Sequence, residues 1–252
     1  MSGASMSLKY PIRYDDVDFT NKAFIPSIIN YFADVATQQA TSVGLDVDKL
    51  KEVHRGWVLC QWDIDIFRLP TYGENITVTT IPYSYKKFFA YRIFELKDEN
   101  NNILVKGKSS WMCLDTEKRR PIRLSYDDIK CFGIREEDEE IVEVIKPQKI
   151  SNFSLEKDFI VRYTDIDTNN HVNNSKYITW ALETLDLKFL EDNSPVNIKI
   201  LYSKEKRYGG SVYSKCEIIS ENSSVKTLHA ICNSENIHLC DIEITWEKNS
   251  SK

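Results

Sequence analysis

The sequence lacks the short motifs that mark the common hydrolase, nucleotide-binding and zinc-binding classes. It has only 8 glycines, and none stands in a Gly-x-Ser-x-Gly elbow, a phosphate-binding loop or a dinucleotide fingerprint. No His-Glu-x-x-His segment occurs, and the 6 cysteines never form a Cys-x-x-Cys pair. We therefore expect no metal and no cofactor, and we interpret the cysteines as reduced thiols of the core.

Long apolar runs are also missing. No stretch approaches the roughly 20 apolar residues that a membrane helix requires. Residues 1–9 lack the apolar core of a secretory signal, and no plastid transit pattern is present. These absences predict a cytoplasmic protein that does not act at a membrane. The net charge of −5 argues against a nucleic-acid partner, because phosphate contacts need a basic face.

What is present is an ordinary globular composition. Hydrophobic residues make up 42% and charged residues 28% of the 252 residues. This balance is typical of a folded soluble chain and not of a disordered or fibrous one. The length allows one large domain or two small ones, each with its own core.

One segment of the sequence occurs twice. Residues 12–18 read Ile-Arg-Tyr-Asp-Asp-Val-Asp, and residues 161–167 read Val-Arg-Tyr-Thr-Asp-Ile-Asp. Each copy is followed by a short polar stretch and then by apolar residues at helical spacing. Pro26 suits the first turn of the first helix and Gly44 its end. Asn173 or Asn174 could cap the second helix, whose apolar pattern runs to Leu185.

Four strand-like runs follow each helix. In the first half they are 58–66, 75–81, 88–96 and 103–114; in the second they are 196–202, 212–219, 225–232 and 237–246. Each half therefore predicts an α+β layer, in which an antiparallel sheet wraps around one long helix. We expect domains at 6–132 and 151–248, joined by a linker at 133–150 that carries an acidic run.

The two copies differ at the positions where chemistry would occur. The second copy reads Asp167-Thr168-Asn169-Asn170-His171, whereas the first reads Asp18-Phe19-Thr20-Asn21-Lys22. Only the second half therefore offers a general base here. His171 precedes a predicted helix, whose N-terminal amides could hold the oxyanion that forms when a carbonyl is attacked. Taken singly, residues such as Asp167 and Asn169 are more often turn residues than catalytic ones. A histidine such as His171 is as often a surface or capping residue as a catalytic one.

The segment 167–177 resembles the signature of plant and bacterial acyl-acyl carrier protein (acyl-ACP) thioesterases. It fits Asp-x-Asn-x-His-Val-Asn-Asn-x-Lys-Tyr, and the resemblance continues at Trp180 and Glu183. In the first half it includes Trp57-Val58 and the segments 70–73 and 109–111. The resemblance implies a tandem hotdog fold and hydrolysis of a fatty acyl-ACP thioester to the free acid and the carrier protein.

The resemblance also implies a catalytic Glu on the strand after the second helix, where Glu205 fits. Lys206 stands where the family often has Cys, so attack by water is the simpler mechanism. Glu205 and His171 would position and deprotonate the water, and Asn169 would hold the water or the carbonyl. Asp167 would orient the loop. Glu205 taken alone is a solvated residue among lysines.

Further expectations concern substrate and partners. Trp57, Asn173, Asn174 and Tyr177 are candidates for substrate binding, and we expect the first half to be non-catalytic and to shape the acyl pocket. Three basic clusters could dock the acidic carrier protein; they are Lys86-Lys87, Lys118-Arg119-Arg120 and Lys204-Lys206-Arg207. Each could equally be ordinary surface charge. The protein could be a monomer or a homodimer.

Three other functions remain open at this point. Coenzyme A could be the acyl carrier, because single hotdog proteins commonly use it. A non-catalytic acyl-binding protein is the alternative of another class, although the presence of Asp167, Asn169, His171 and Glu205 argues against it. A dehydratase is a weaker alternative, because it needs a different arrangement of acid and base.

Overall fold

The computed structural model describes residues 3–138, 140, 142–221 and 224–249. The chain separates into two compact units. One consists of Met1–Phe24 and Ile28–Val144, and the other of Ile145–Lys252 with Ile25–Ser27. Each unit contains helices and an antiparallel sheet, as the repeated pattern predicts.

In the first unit the sheet has the order β1-β3-β4-β5-β2, and β6 pairs with β5. The strands are β1 Met6–Pro11, β2 Arg55–Ile66, β3 Asn75–Lys86, β4 Phe89–Lys97, β5 Ile103–Asp115 and β6 Arg120–Pro121. Strand β3 runs past the predicted end at residue 81. Pro82 is tolerated there because the register of β3 against β4 shifts between Pro82 and Ser84, and such irregularities accommodate a residue without an N–H.

Helix α1, Ile25–Ser42, and the short helix α2, Val47–Glu52, belong to the same half of the sequence. Pro26 lies in the first turn of α1, and Gly44 follows the helix with φ +80°, a left-handed conformation that suits glycine. Both helix signals in the sequence are confirmed. Buried residues at helical spacing, among them Ile28, Phe32 and Val35, form the face that meets the sheet.

Three aromatic rings form the centre of the first unit. The ring centroid of Phe32 on α1 lies 5.7 Å from that of Trp62 and 5.0 Å from that of Phe94. All three side chains are fully buried. Gly107 on β5 makes room for this contact, because a Cβ there would lie 2.9 Å from the Phe32 ring. Ring contacts of this kind add to the stability that comes from burial alone.

The second unit repeats the architecture with a shorter helix. Its sheet has the order β8-β11-β10-β9-β7 and is antiparallel throughout. The elements are β7 Leu155–Ile160, α3 Asn174–Leu182, α4 Leu187–Asp192, β8 Asn193–Tyr202, β9 Ser211–Glu221, β10 Ser224–Asn233 and β11 His238–Lys248.

Helix α3 ends at Leu182, although the apolar pattern predicts helix as far as Leu185. The Thr184 hydroxyl bonds to the Trp180 carbonyl at 2.8 Å and to the Ser214 hydroxyl at 2.7 Å, which ties this turn to the sheet. Asp186 then caps α4 through the Phe189 N–H. In the second half the nine-residue helix α3 is thus followed by the short helix α4, and the helix ends earlier than the apolar pattern predicts.

The predicted linker has no helix or strand among its described residues, 133–138, 140 and 142–150. Glu139, which belongs to the predicted acidic run, lies outside the described residues. Ile134 is buried against Ile129 and Phe132, and the Gln148 N–H donates to Glu243 at 2.7 Å. The segment is thus anchored at both ends. No helix in the described part of the chain is long and apolar enough to span a membrane.

All six cysteines are free thiols. Cys113, Cys216, Cys232 and Cys240 are buried, as predicted for core residues, and burial raises the pKa of Cys216 to about 12. Cys131 departs from this prediction because it is exposed.

A polar group is buried in the core of the second unit. His229 on β10 is 1% exposed, and its Nε2 lies 2.9 Å from the Thr227 hydroxyl. The same hydroxyl accepts a hydrogen bond from the Trp246 indole N–H at 2.9 Å. Burial lowers the pKa of His229 to about 3, so the imidazole is neutral in the folded chain at physiological pH.

This neutral imidazole predicts a loss of stability in acid. In the unfolded chain His229 takes up a proton below about pH 6.5, whereas the folded chain does not until about pH 3. The contribution of the neutral His229 side chain to the free energy of unfolding is therefore complete above pH 6.5, and it falls by about 2 kcal/mol by pH 5. The measurement is denaturant unfolding of the natural chain and of His229→Gln, each just above pH 6.5 and at pH 5. The variant should lose about 2 kcal/mol less than the natural chain, and equal losses would contradict the account.

Candidate active site

The loop 167–171 is held in shape by the Asp167 side chain. Its Oδ1 accepts hydrogen bonds from the backbone N–H groups of Asn169 at 2.8 Å and His171 at 3.4 Å. The Asp167 N–H also donates to the His171 carbonyl at 2.8 Å, and Asn170 takes φ +62° at the turn. Asparagine tolerates this left-handed conformation better than most residues. The loop therefore presents His171 from a fixed backbone.

Glu205 lies in the loop that follows β8 and not on a strand, which corrects the prediction. Strand β8 ends at Tyr202 because the N–H groups of Ser203 and Lys204 both turn to the Leu239 carbonyl. Two residues further along, the loop is hydrogen-bonded to the histidine loop, because the Lys206 carbonyl accepts the Val172 N–H at 2.8 Å. This backbone bond joins the two predicted catalytic segments.

The imidazole and the carboxylate meet at the centre of the site. His171 Nε2 lies 3.1 Å from Glu205 Oε2, and the two side chains are 22% and 36% exposed. The distance is that of an ion pair, but Nε2 is buried and has no partner in hydrogen-bonding geometry among the residues that the structure describes. The pair is thus close enough to act on one small molecule, and it is neither fully buried nor freely solvated.

Asn169 lies on the same loop, where its backbone N–H donates to Asp167 Oδ1. Its side chain is exposed. The structure therefore gathers Asp167, His171 and Glu205 by direct contacts, and it places Asn169 beside them without engaging its amide.

The start of α3 borders this site. Asn173 is the N-cap, and its Oδ1 accepts hydrogen bonds from the Ser175 N–H and hydroxyl, both at 2.9 Å. The Asn174 carbonyl accepts the Tyr202 hydroxyl at 3.1 Å. Of the two asparagines that the sequence offers as a cap, the structure therefore uses Asn173.

Tyr177 lies under the first turn of α3. It is 3% exposed, and its ring centroid is 5.7 Å from that of Tyr202. Burial raises the pKa of Tyr177 well above its usual value, and the nearby Cys240, Glu205 and Asp167 contribute in the same direction. The phenol is therefore neutral and close to the charged groups of the site. Trp57, the other predicted substrate residue, lies in the first unit and packs against the cluster of Ile129, Phe132 and Ile134.

One anchoring residue was not among the predicted site residues. Asp165 is fully buried, and its carboxylate lies 3.3 Å from Arg162 Nη2 and 3.6 Å from Lys176 Nζ. Its carbonyl accepts the Asn173 N–H. A buried carboxylate needs such partners. The signal in the sequence was present, because Asp16 occupies the same place in the first copy of the repeat.

The first unit has the same loop with different side chains. Asp18 bonds to the N–H groups of Thr20 and Lys22, and the Ala23 N–H donates to the Pro70 carbonyl as Val172 does to Lys206. Lys22 thus takes the place of His171, and Leu69 that of Glu205. This loop of the first unit therefore has neither the imidazole nor the carboxylate.

Two family models together match most of the chain. The model "Acyl-ACP thioesterase N-terminal domain" matches residues 3–132, and "Acyl-ACP thioesterase C-terminal domain" matches residues 148–248. The chain belongs to the acyl-ACP thioesterase family. No group of three or more residues able to hold a metal ion is found in the described part of the chain.

Plant members of this family are recognisable relatives. An oleoyl-acyl carrier protein thioesterase of Coriandrum sativum is 26% identical over 228 residues, which are 81% of this chain and 60% of that protein. An acyl-[acyl-carrier-protein] hydrolase of Cuphea viscosissima is 26% identical over 209 residues, 78% of this chain and 50% of that protein. The chain thus spans between half and two thirds of the length of these curated relatives.

Solved structures of bacterial and plant members share the fold. A Lactobacillus plantarum protein, provisionally an oleoyl thioesterase, superposes with a TM-score of 0.94 at 26% identity and covers 99% of this chain and 98% of its own. The 12:0-ACP thioesterase of Umbellularia californica superposes with 0.86 at 20% identity, covering 97% and 94%. The prediction of a double hotdog fold is confirmed.

The cap at Asn173 yields a test of how α3 is held. Replacing Asn173 by Ala removes the acceptor for the Ser175 N–H, which should lower the free energy of unfolding by about 1 kcal/mol. The N-cap of α1 is Phe24, which makes no side-chain cap bond, so a substitution at Phe24 is the matched control and removes no such bond. Denaturant unfolding should show this loss for Asn173→Ala and not for Asn173→Ser, because serine keeps an acceptor. Equal stabilities of the two variants would contradict this role.

Proposed function

We propose that this chain hydrolyses the thioester of a fatty acyl-acyl carrier protein, giving the free acid and the carrier thiol. Membership of the acyl-ACP thioesterase family supports this reaction. The observation that carries the proposal is the 3.1 Å approach of His171 Nε2 to Glu205 Oε2 at the surface of the second unit. A base paired with a carboxylate is what activation of a water molecule requires.

In the proposed reaction, a water held beside the paired imidazole and carboxylate gives a proton to the His171–Glu205 pair as its oxygen attacks the thioester carbon. The tetrahedral intermediate then collapses, and the carrier leaves as a thiolate that takes up the proton. Asp167 orients the loop that carries His171. The backbone N–H groups of Ser175 and Lys176 already donate to Asn173. We therefore assign the oxyanion role to the backbone N–H of Asn174 and the side-chain amide of Asn169.

A cysteine nucleophile has no support at this site. Lys206 occupies the position next to Glu205, and its Nζ donates to the Gly209 carbonyl at 2.6 Å. Cys240, which lies near Tyr177, is fully buried, and burial raises the pKa of its thiol well above the usual value. A thiol in this state is not the thiolate that covalent catalysis needs. Attack by water therefore accounts for the residues present.

The proposal divides the work between the two halves. Residues 151–248 would form the catalytic domain, and residues 6–132 a non-catalytic domain that shapes the acyl pocket, joined by the linker 133–150. Lys22 and Leu69 in place of His171 and Glu205 support the loss of catalysis in the first half. Trp57, Asn173, Asn174 and Tyr177 remain the candidates for contact with the substrate.

Replacing the base or the carboxylate should abolish most of the activity. His171→Ala and Glu205→Ala should each lower kcat at least about 10²-fold, because general-base catalysis is typically worth 10²–10⁴. Lys22→Ala, at the equivalent place in the first unit, is the matched control and should keep near-normal turnover. The measurement is thiol release from acyl-ACP under saturating substrate. Near-normal turnover in both site variants would remove the two residues from the mechanism.

The acidic carrier should dock through the basic residues around Glu205. Lys204 and Arg207 are exposed on the loop that carries this residue. Opposite charges speed the encounter of two proteins. Salt weakens this attraction, and at 0.1 M it largely screens exposed charges that are more than about 10 Å apart. We therefore expect kcat/KM for acyl-ACP to fall more steeply with salt than kcat/KM for the matching acyl-coenzyme A. An equal salt dependence of the two donors would count against docking by charge.

The same comparison separates the two possible carriers. A chain that serves acyl-ACP should cleave it with a higher kcat/KM than the coenzyme A thioester of the same acyl group. A higher value for coenzyme A would favour the acyl-coenzyme A thioesterase.

A further inference from the structure

Lys206, the residue after Glu205, is held through both of its backbone polar groups. Its carbonyl accepts the Val172 N–H at 2.8 Å, and its N–H donates to the phenol oxygen of Tyr177 on α3. A peptide group is planar, so the Lys206 N–H lies in one plane with the Cα and the carbonyl of Glu205. A bond to this N–H therefore constrains the direction in which the Glu205 side chain leaves the backbone.

The phenol that accepts this bond is itself fixed. Tyr177 is 3% exposed, and its ring centroid lies 5.5 Å from that of Trp180 and 5.7 Å from that of Tyr202. Burial raises the pKa of Tyr177, and the hydrogen bond from the Lys206 N–H acts in the opposite direction. A side chain this buried offers almost no surface to a substrate, whereas it can hold the backbone of the loop beside it.

The donor of this bond is missing in the first unit. Pro70 stands at the place of Lys206, since its carbonyl accepts the Ala23 N–H in the same way. Proline has no N–H to donate. The peptide group after Leu69, which occupies the place of Glu205, therefore cannot be held by such a bond.

The acceptor is missing in the first unit as well. Ile28 follows Asp18 by ten residues, as Tyr177 follows Asp167. The Ile28 side chain is buried on α1 and has no polar atom. Donor and acceptor thus occur together beside the carboxylate, and both are absent from the equivalent places where the carboxylate is replaced. A hydroxyl that served packing alone would have no reason to follow the carboxylate in this way.

We propose that Tyr177 is a positioning residue for Glu205, which holds the carboxylate against His171 through the backbone N–H of Lys206. This role rests on the proposed hydrolysis, in which Glu205 and His171 act together on water. It differs from contact with the substrate, the role for which the sequence makes Tyr177 a candidate, and the two roles predict different kinetics. Loss of a substrate contact raises KM, whereas a loosened carboxylate lowers kcat.

The hydrogen bond can be tested without an assay of activity. In Tyr177→Phe the Lys206 N–H loses its acceptor, so its hydrogen exchange, followed by NMR, should be at least about tenfold faster than in the natural chain. Thr184→Val is the matched control, because it removes a buried hydroxyl that bonds to Trp180 and Ser214 and not to this loop. It should leave the exchange of the Lys206 N–H unchanged.

Turnover of acyl-ACP tests the positioning. Tyr177→Phe should lower kcat at least about tenfold and leave KM within about twofold, because a small displacement of a catalytic group is costly. Thr184→Val should keep near-normal kcat. In the Glu205→Ala background, Tyr177→Phe should cause no further loss of kcat, since no carboxylate is left to position.

Lys206→Pro gives a second measurement that does not depend on the folding of Tyr177→Phe. It removes the donor, as Pro70 does in the first unit, and Lys206→Ala is its reference because alanine removes the same side chain and keeps the N–H. The kcat of Lys206→Pro should be at least about tenfold below that of Lys206→Ala. Adding Tyr177→Phe to Lys206→Pro should lower kcat no further.

An exchange rate of the Lys206 N–H that stays the same in Tyr177→Phe would overturn the proposal. So would a higher KM with normal kcat, or an undiminished loss of kcat in the Glu205→Ala background. If the exchange responds as expected but the natural chain cleaves no acyl-ACP, the proposed function fails and the hydrogen bond stands.

Discussion

One backbone hydrogen bond makes the candidate site possible. The Val172 N–H and the Lys206 carbonyl join two loops that are more than thirty residues apart in the chain. On one side of this bond Asp167 fixes the loop that carries His171, and on the other side the end of β8 turns into the loop that carries Glu205. The 3.1 Å approach of the two side chains depends on this junction. A site held by backbone bonds needs little reorganisation when its substrate binds.

The two halves of the chain show what this frame does without its side chains. The loop around Asp18 keeps the carboxylate-to-amide bonds, the left-handed asparagine and the junction between Ala23 and Pro70. Since Lys22 and Leu69 occupy the places of the base and the acid, the frame by itself is a structural motif. In the proposed mechanism, catalysis in the second half comes from two side chains, His171 and Glu205, on a backbone that both halves share.

Much of this could be predicted from the sequence, because the evidence was local. The repeat of residues 12–18 at 161–167 predicted two halves, and Pro26, Gly44 and Asn173 marked helix ends by their backbone preferences. The position of Glu205 could not be predicted, since the end of β8 is set by bonds to Leu239, far away in the chain. The early end of α3 depends in the same way on Ser214. The buried groups of Asp165 and His229 escaped sequence reasoning because burial is a property of packing.

The central claim is that His171 and Glu205 act as one unit on a single water molecule. A double-mutant cycle on kcat tests it most directly, with His171→Ala, Glu205→Ala and both together. Residues that act as a unit are strongly non-additive, so the double variant should be about as slow as the slower single variant. Losses that multiply, so that the double variant shows the product of the two single effects, would contradict the account.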